Sequence, residues 1–242
     1  MSGQRWHLIE GEAGCRFAVD HGAVAIIVDS LRASATATMI LHEGATAILA
    51  VREVDEARSV KAELPEALLF GERGGVPPED FDGGNSPQEV ARTKGKTVIF
   101  TTTTGAGRLV SAWGSAAVYM GTTLNARAVM KVAKHHNKDV VVIPAGLSSD
   151  PDFDAQEDRV ASVAIALEHG SIDGEGQSMF NEYRTRIEAE GVGALFDSAP
   201  HAAKLRKVNM ESDIAYCAQM NTTTVVPVGV RRHPLGVWLE RA

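Results

Sequence analysis

The sequence predicts an α/β protein with three layers, α/β/α, built on a mostly buried, mixed sheet. Two observations carry this. A grammar of short apolar strand, polar turn and small-residue helix recurs along the chain. The strands, rich in Val and Ile, are apolar throughout rather than alternating, which is the pattern of strands covered on both faces. A length of 242 residues, 44% hydrophobic and 23% charged, suits an ordinary globular protein with a substantial core.

The elements follow in order. "AVAIIVD" (23–29) reads as a strand that gives way to the helix "SLRASATATMILHEG", with Gly44 placed as its C-cap, and then to the strand "ATAILAV". "KTVIFTTTTGAGR" (96–108) leads into "LVSAWGS" and the strand "AAVYMG". "DVVVIPAG" (139–146) leads through an acidic loop into the helix "AQEDRVASVAIALEHG". The first two units align loosely, which raises an internal duplication. Between them lies "GERGGVPPEDFDGGNSP" (71–87), with five glycines, three prolines and four acids. A connection that long inside a compact domain is functional or disordered, and its Pro-Pro and Gly-Gly turn chemistry favours an ordered one. Residues 1–242 read as one domain, with 170–177 ("GSIDGEGQ") as the best place for a flexible junction. Helical segments and a terminal strand near "TTTVVPVGV" follow.

Composition removes several function classes. A net charge of -7 argues against a general nucleic-acid binder, which needs a basic face. No run of eighteen apolar residues is present to span a membrane, and the start lacks the apolar stretch of a signal peptide. Cys15 and Cys217 are too few for a disulfide framework and read as buried thiols of a cytoplasmic protein. The eight histidines are scattered and give no metal-ligand spacing. Oligomeric state is not legible, with a homodimer as the common default.

Ligands of α/β sheets bind beyond the C-terminal ends of the strands. All three of these strand ends are polar. The first offers Asp29, Ser30, Arg32 and Ser34; the second Thr101, Thr102, Thr103, Thr104, Gly105, Gly107 and Arg108; the third Ser148, Ser149, Asp150, Asp152, Asp154, Glu157 and Asp158. Arginine forks and helix N-termini bind phosphate, carboxylate or sulfonate. Neighbouring carboxylates repel unless a hard cation lies between them, and Mg²⁺ commonly bridges carboxylates to substrate phosphate. The set favours metal-assisted phosphoryl hydrolysis.

Each element also has a purely structural reading. Ser30 can cap a helix, and Arg32 can pair with a nearby acid. "SPQE" (86–89) and "DAQE" (154–157) are capping-box patterns, and the threonine run suits a strand. "TGAGR" lacks the Gly-Lys-Ser/Thr of a P-loop. Rival chemistries find less support: Leu31 stands where a haloacid dehalogenase phosphatase needs its second aspartate, GxSxG and HExxH are absent, and neither cysteine lies in an anion loop.

The stretches "VDSLRASATA", "GERGG…FDGGNSP", "TTTTGAGRL", "GTTLNARAV" and "AG…EDRVASVAIALE", in this order across residues 24–230, resemble the 2-phosphosulfolactate phosphatase (ComB) family. The resemblance implies an α/β/α fold and Mg²⁺-dependent hydrolysis of 2-phosphosulfolactate to 3-sulfolactate and phosphate, a step of coenzyme M biosynthesis in methanogens. Asp29, Arg32, Glu72, Arg73, Asn85, Ser86, Gly105, Arg108, Asn125, Glu157 and Asp158 match positions of the family pattern. One departure stands out. The family's threonine-rich turn continues Asn-Gly-Thr-Arg, whereas this chain runs Thr104-Gly105-Ala106-Gly107-Arg108, which bears on the substrate more than on the chemistry.

The expectation is thus a phosphatase for a small, multiply anionic phosphoester. Asp29, Glu72 and Asp158 are expected to hold Mg²⁺, and Asp29, Arg32 and Glu157 to act in catalysis, with Glu157 orienting a water. Ser34, Arg73, Asn85, Ser86, Thr102, Thr103, Thr104, Gly105, Arg108 and Asn125 are expected at the substrate. The alternatives are a phosphatase for another phosphorylated hydroxy acid or sugar phosphate, and a non-catalytic anion binder of the same fold.

Overall fold

Nine strands form a single sheet in a computed structural model, which describes residues 4–147, 150 and 152–242. The strands are β1 (Trp6–Leu8), β2 (Val24–Val28), β3 (Ala47–Val51), β4 (Leu68–Gly71), β5 (Thr97–Thr101), β6 (Ala117–Met120), β7 (Val140–Pro144), β8 (Pro227–His233) and β9 (Gly236–Arg241). Their spatial order is β1-β7-β2-β6-β8-β9-β3-β5-β4. Ten α-helices accompany them: α1 (Gly11–Asp20), α2 (Ala33–His42), α3 (Val54–Glu63), α4 (Gly105–Ser111), α5 (Ala126–Lys134), α6 (Gln156–Leu167), α7 (Gln177–Glu190), α8 (Val192–Asp197), α9 (Pro200–Lys207) and α10 (Ser212–Cys217). The sheet is mixed and mostly parallel, as expected for an α/β/α protein.

Two parallel blocks, β1-β7-β2-β6 and β3-β5-β4, are joined by the β8–β9 hairpin. The hairpin pairs antiparallel with β6 on one side and β3 on the other. Three antiparallel steps in a row leave the blocks opposite in ladder sense. The chain crosses between them twice, outward through β2-α2-β3 and back through β5-α4-β6. Sheet twist of about 20–25° per step turns β2 and β5 through more than a right angle relative to each other. The turns that follow these two strands meet: a Cβ placed on Gly105, at the start of α4, would lie 2.7 Å from the Ala33 Cβ at the start of α2.

The core follows from strand composition. β2 and β7 are buried at every residue, and Trp6, Phe70, Phe100 and Phe196 are among the largest fully buried side chains. One large apolar cluster spans most of the sheet, and a smaller one, including Leu49, Val60 and Ile99, lies under α3.

Some local readings come out differently. No α-helix follows Ser86: the chain turns and makes only a short 3₁₀ segment, Ala91–Thr93. Ser86 Oγ accepts the Gln88 N–H at 3.3 Å but donates to Asp213, a bond that draws it toward α10 instead of capping a helix. The helix predicted from 155 is α6, yet Asp154 does not cap it; Asp154 pairs with Arg159 instead. The segment 170–177 is stitched along β1, with Asp173 accepting the Trp6 N–H and Leu8 donating to the Glu175 carbonyl. β9, which closes the hairpin, had no counterpart in the strand reading of the sequence, and β8 is longer than its apolar signal.

Candidate active site

Asp29 is the first residue past β2. Its Oδ1 accepts the Ala33 N–H at 3.2 Å, and its own N–H donates to Ser34 Oγ at 3.0 Å. Ser34, buried at the start of α2, donates in turn to the Ile27 carbonyl. The helix start therefore holds the carboxylate through the Ala33 N–H, and Ser34 ties the Asp29 backbone to the strand end. Asp158, in the first turn of α6, ties this turn to the end of β7: Oδ1 accepts the Ser30 N–H at 2.7 Å and Oδ2 the Gly146 N–H at 3.2 Å.

Glu72 arrives from the other block, one residue past β4. Its Oε1 accepts from the Thr103 N–H and hydroxyl at 2.8 and 2.9 Å, and Oε2 accepts the Gly75 N–H. Gly71 sets this position. Its φ is +148°, and a Cβ there would sit 1.9 Å from the Thr101 carbonyl, so only glycine lets β4 lie this close to β5. Asp29, Arg32, Glu72, Asn85, Thr103, Thr104 and Asp158 all line one cavity of about 310 Å³. Residues from three strand ends and the long 71–87 loop thus meet in a single crevice. Ser148 and Ser149 lie outside the described residues.

The electrostatics of the cavity are dominated by buried acid. Burial lifts Asp29 to a pKa of about 6, with Glu72 and Glu157 adding to the rise and His201 and the Ala33 N–H opposing it. Burial raises Asp158 well above its ordinary value, and Glu157 and Asp29 push it further. Glu157 is 1% exposed; its Oε1 lies 3.0 Å from His201 Nδ1, and its Oε2 takes no hydrogen bond among the described residues.

His201 and Lys204, both from α9, line the same cavity, and neither was singled out by the sequence reading. Burial pulls the His201 pKa down, but the hydrogen bond and charge of Glu157, with Asp29, outweigh it, and the net shift is upward. The signal available was the spacing i, i+3 on one short helix, which puts both on one face. Asp213 was also missed. It accepts from Arg32 Nη1 and Ser86 Oγ, each at 2.7 Å.

Other expected residues are placed elsewhere. Arg73 does not line the cavity: it donates to the carbonyls of Glu72 and Arg52 and to the Thr101 hydroxyl. Arg108 donates to the Ala145 carbonyl and pairs with Glu12, and it borders a smaller hollow of about 100 Å³ that shares Thr103 and Thr104 with the main cavity. Thr102 Oγ1 accepts the Ala106 N–H inside the α4 start. Gly105 packs against Asp29, where a Cβ would lie 2.8 Å from Oδ2. Asn125 is fully buried, and it caps its own turn through the Thr122 N–H while donating to the Val225 carbonyl.

The model of the 2-phosphosulpholactate phosphatase family matches residues 15–232. A probable 2-phosphosulfolactate phosphatase of Pseudothermotoga lettingae is 34% identical over 86% of this chain and 89% of its own length. One from Carboxydothermus hydrogenoformans is 34% identical over 84% and 85%, and one from Symbiobacterium thermophilum is 32% identical over 86% and 91%. The chain belongs to the 2-phosphosulpholactate phosphatase family, and its reaction is the hydrolysis of a phosphoric monoester.

Proposed function

We propose that this protein hydrolyses 2-phosphosulfolactate to 3-sulfolactate and phosphate with the help of Mg²⁺. The observation that carries the proposal is the meeting of Asp29 after β2, Glu72 after β4 and Asp158 in the first turn of α6 in one cavity that also holds His201 and Lys204. The names of the relatives point to the same substrate.

The donor set suits a hard cation. Asp29, Glu72 and Asp158 offer only oxygen, and the charges of Glu72 and Glu157 on Asp29, and of Asp29 and Glu157 on Asp158, disfavour ionisation unless a counter-charge is present. Among the described residues no group of three His, Cys, Asp or Glu is arranged as a ready-made metal cage. An ion here would take one or two of these three carboxylates and complete its shell with substrate and water oxygens. A bound Mg²⁺ would supply neutralisation of phosphoryl charge and acidify a water.

The chain's own residues supply the rest. Thr103 and Thr104, in the turn after β5, line the cavity where a phosphoryl group would lie. Glu157, with one oxygen on His201, orients the attacking water in this reading. His201 keeps Nε2 as the nitrogen left to hold a proton for the departing alkoxide, since Nδ1 is spent on Glu157. Cys15 and Cys217 are free and buried, and no described helix is long and apolar enough to cross a membrane. The free, buried thiols agree with the cytoplasmic site of action we assign.

The test is phosphate release from 2-phosphosulfolactate, a sugar phosphate and a second phosphorylated hydroxy acid, each with Mg²⁺ and with chelator. The expected result is Mg²⁺-dependent turnover with the highest kcat/KM for 2-phosphosulfolactate. Equal rates under chelation would remove the metal from the account, and preference for another substrate would remove the named one.

A further inference from the structure

The cationic groups of the cavity are unequally committed. Arg32 is buried, and its two terminal nitrogens are bonded to Asp213 and to the Gly75 carbonyl, each at 2.7 Å. Arg73 and Arg108, the other two guanidinium groups that the sequence put forward for anions, do not line the cavity; both donate to backbone carbonyls, and Arg108 also pairs with Glu12. His201 is tied to Glu157 through Nδ1. Lys204 is different. Its Nζ stands 3.8 Å from the centroid of the Phe153 ring, both residues line the cavity, and among the described residues no carboxylate pairs with the ammonium.

The position is held firmly. α9 is anchored by the buried Ala202 and Leu205, and Leu205 and Val208 lie against the Gly75 turn that donates to Glu72 and accepts from Arg32. The backbone that carries Lys204 is therefore placed relative to the acids by the same turn that positions Glu72, and the exposed side chain lies over Phe153. An aromatic face under an ammonium attracts it and restricts its rotamers, which lowers the ordering cost of a later ion pair. A substrate with a second anionic group meets three carboxylates in the cavity, Asp29, Glu72 and Asp158, and finds on the α9 wall an ammonium that no carboxylate pairs among the described residues.

We infer that Lys204, seated over Phe153, is the specificity-determining residue for the carboxylate or sulfonate that the substrate carries beside its phosphoryl group. The inference rests on the phosphatase reading above and refines it. The grip on the second anion comes from an ammonium on α9, and the arginines serve to hold the walls together.

The experiment compares wild type, Lys204→Met and Lys204→Arg with Mg²⁺ present. Each is assayed on 2-phosphosulfolactate and on 4-nitrophenyl phosphate, which lacks a second anion, and 3-sulfolactate binding is measured by calorimetry. Lys204→Met should lower the ratio of the two kcat/KM values roughly tenfold or more, the scale of one charge-assisted contact. It should weaken 3-sulfolactate binding by a similar factor, and Lys204→Arg should recover most of both. A ratio and an affinity within twofold of wild type in Lys204→Met would overturn the inference. Failure of wild type to turn over 2-phosphosulfolactate would sink the functional reading instead, and the calorimetric comparison would still decide the role of Lys204. Absence of 3-sulfolactate binding to wild type would overturn it as well.

Discussion

Arg32 and Asp213, 181 residues apart in the chain, form a buried ion pair with 2.7 Å between Nη1 and Oδ2. Asp213 Oδ1 also accepts from Ser86 and Gln88, so one carboxylate from α10 ties the turn after β2 to the long 71–87 loop. Breaking a buried pair from one side strands a charge and costs about 3–5 kcal/mol. Asp213→Ala should lower unfolding free energy by about that amount in urea titrations. Ser86→Ala, which removes the bond to Asp213 and the one from the Gln88 N–H, should cost about 1–3 kcal/mol.

Gly105 and Gly107 lie two residues apart at the start of α4 and should respond oppositely to alanine. A Cβ on Gly105 would press on Asp29 Oδ2 and the Ala33 Cβ at 2.8 and 2.7 Å. Gly105→Ala should therefore displace the carboxylate and lower kcat/KM by about 10²-fold, the scale seen for a misplaced group about 1 Å off. A Cβ on Gly107 meets only the Arg52 side chain at 3.5 Å, an ordinary contact. Gly107→Ala should hold or raise stability by about 0.5–1 kcal/mol through its helix propensity, as read by thermal melting.

Stability should fall as pH rises in the metal-free protein. Asp29 has a folded pKa of about 6 against an ordinary 3.8, so between those values the folded chain keeps a proton that the unfolded chain has released. The contribution is complete below pH 3.8 and lost as pH passes about 6. Its size is about 3 kcal/mol at 1.36 kcal/mol per unit. Asp158 extends the window upward, and His201, raised above 6.5, adds a loss of the same sign at higher pH. Chelated protein melted across pH 4 to 8 should show this decline, and Asp29→Asn should flatten its lower part.

Mg²⁺ should reverse that trend. An ion that needs ionised carboxylates gains affinity as Asp29 and Asp158 lose their protons. The rise in melting temperature on adding Mg²⁺ should be larger at pH 7.5 than at pH 5. A rise independent of pH would place the ion away from these two acids.

Much of the site was legible because strand ends carry their own punctuation. Asp29 after "AIIV", the threonine turn before α4 and the Glu157–Asp158 pair at the start of α6 are local patterns, and each lies beside the crevice where the fold delivers it. The strand order was not legible, since placing the β8–β9 hairpin between two parallel blocks is a long-range pairing with no local mark. Arg73 and Arg108 show the limit of reading chemistry from residue type. A guanidinium fork that suits phosphate suits a backbone carbonyl or a glutamate equally well, and the neighbours decided. His201, Lys204 and Asp213 escaped notice for a related reason. Their short helices look like surface, and the groups they face, Glu157 for His201 and Arg32 for Asp213, are 44 and 181 residues distant in the chain.

The central claim is that Asp29 stands at the heart of a metal-assisted phosphatase. Its most direct measure is the rate of phosphate release from 2-phosphosulfolactate by Asp29→Asn in saturating Mg²⁺, with circular dichroism confirming the fold. The account predicts a loss of at least about 10³-fold against wild type, the scale of removing one preorganised charge from a reaction centre. A folded Asp29→Asn protein that turns over at the wild-type rate would contradict it.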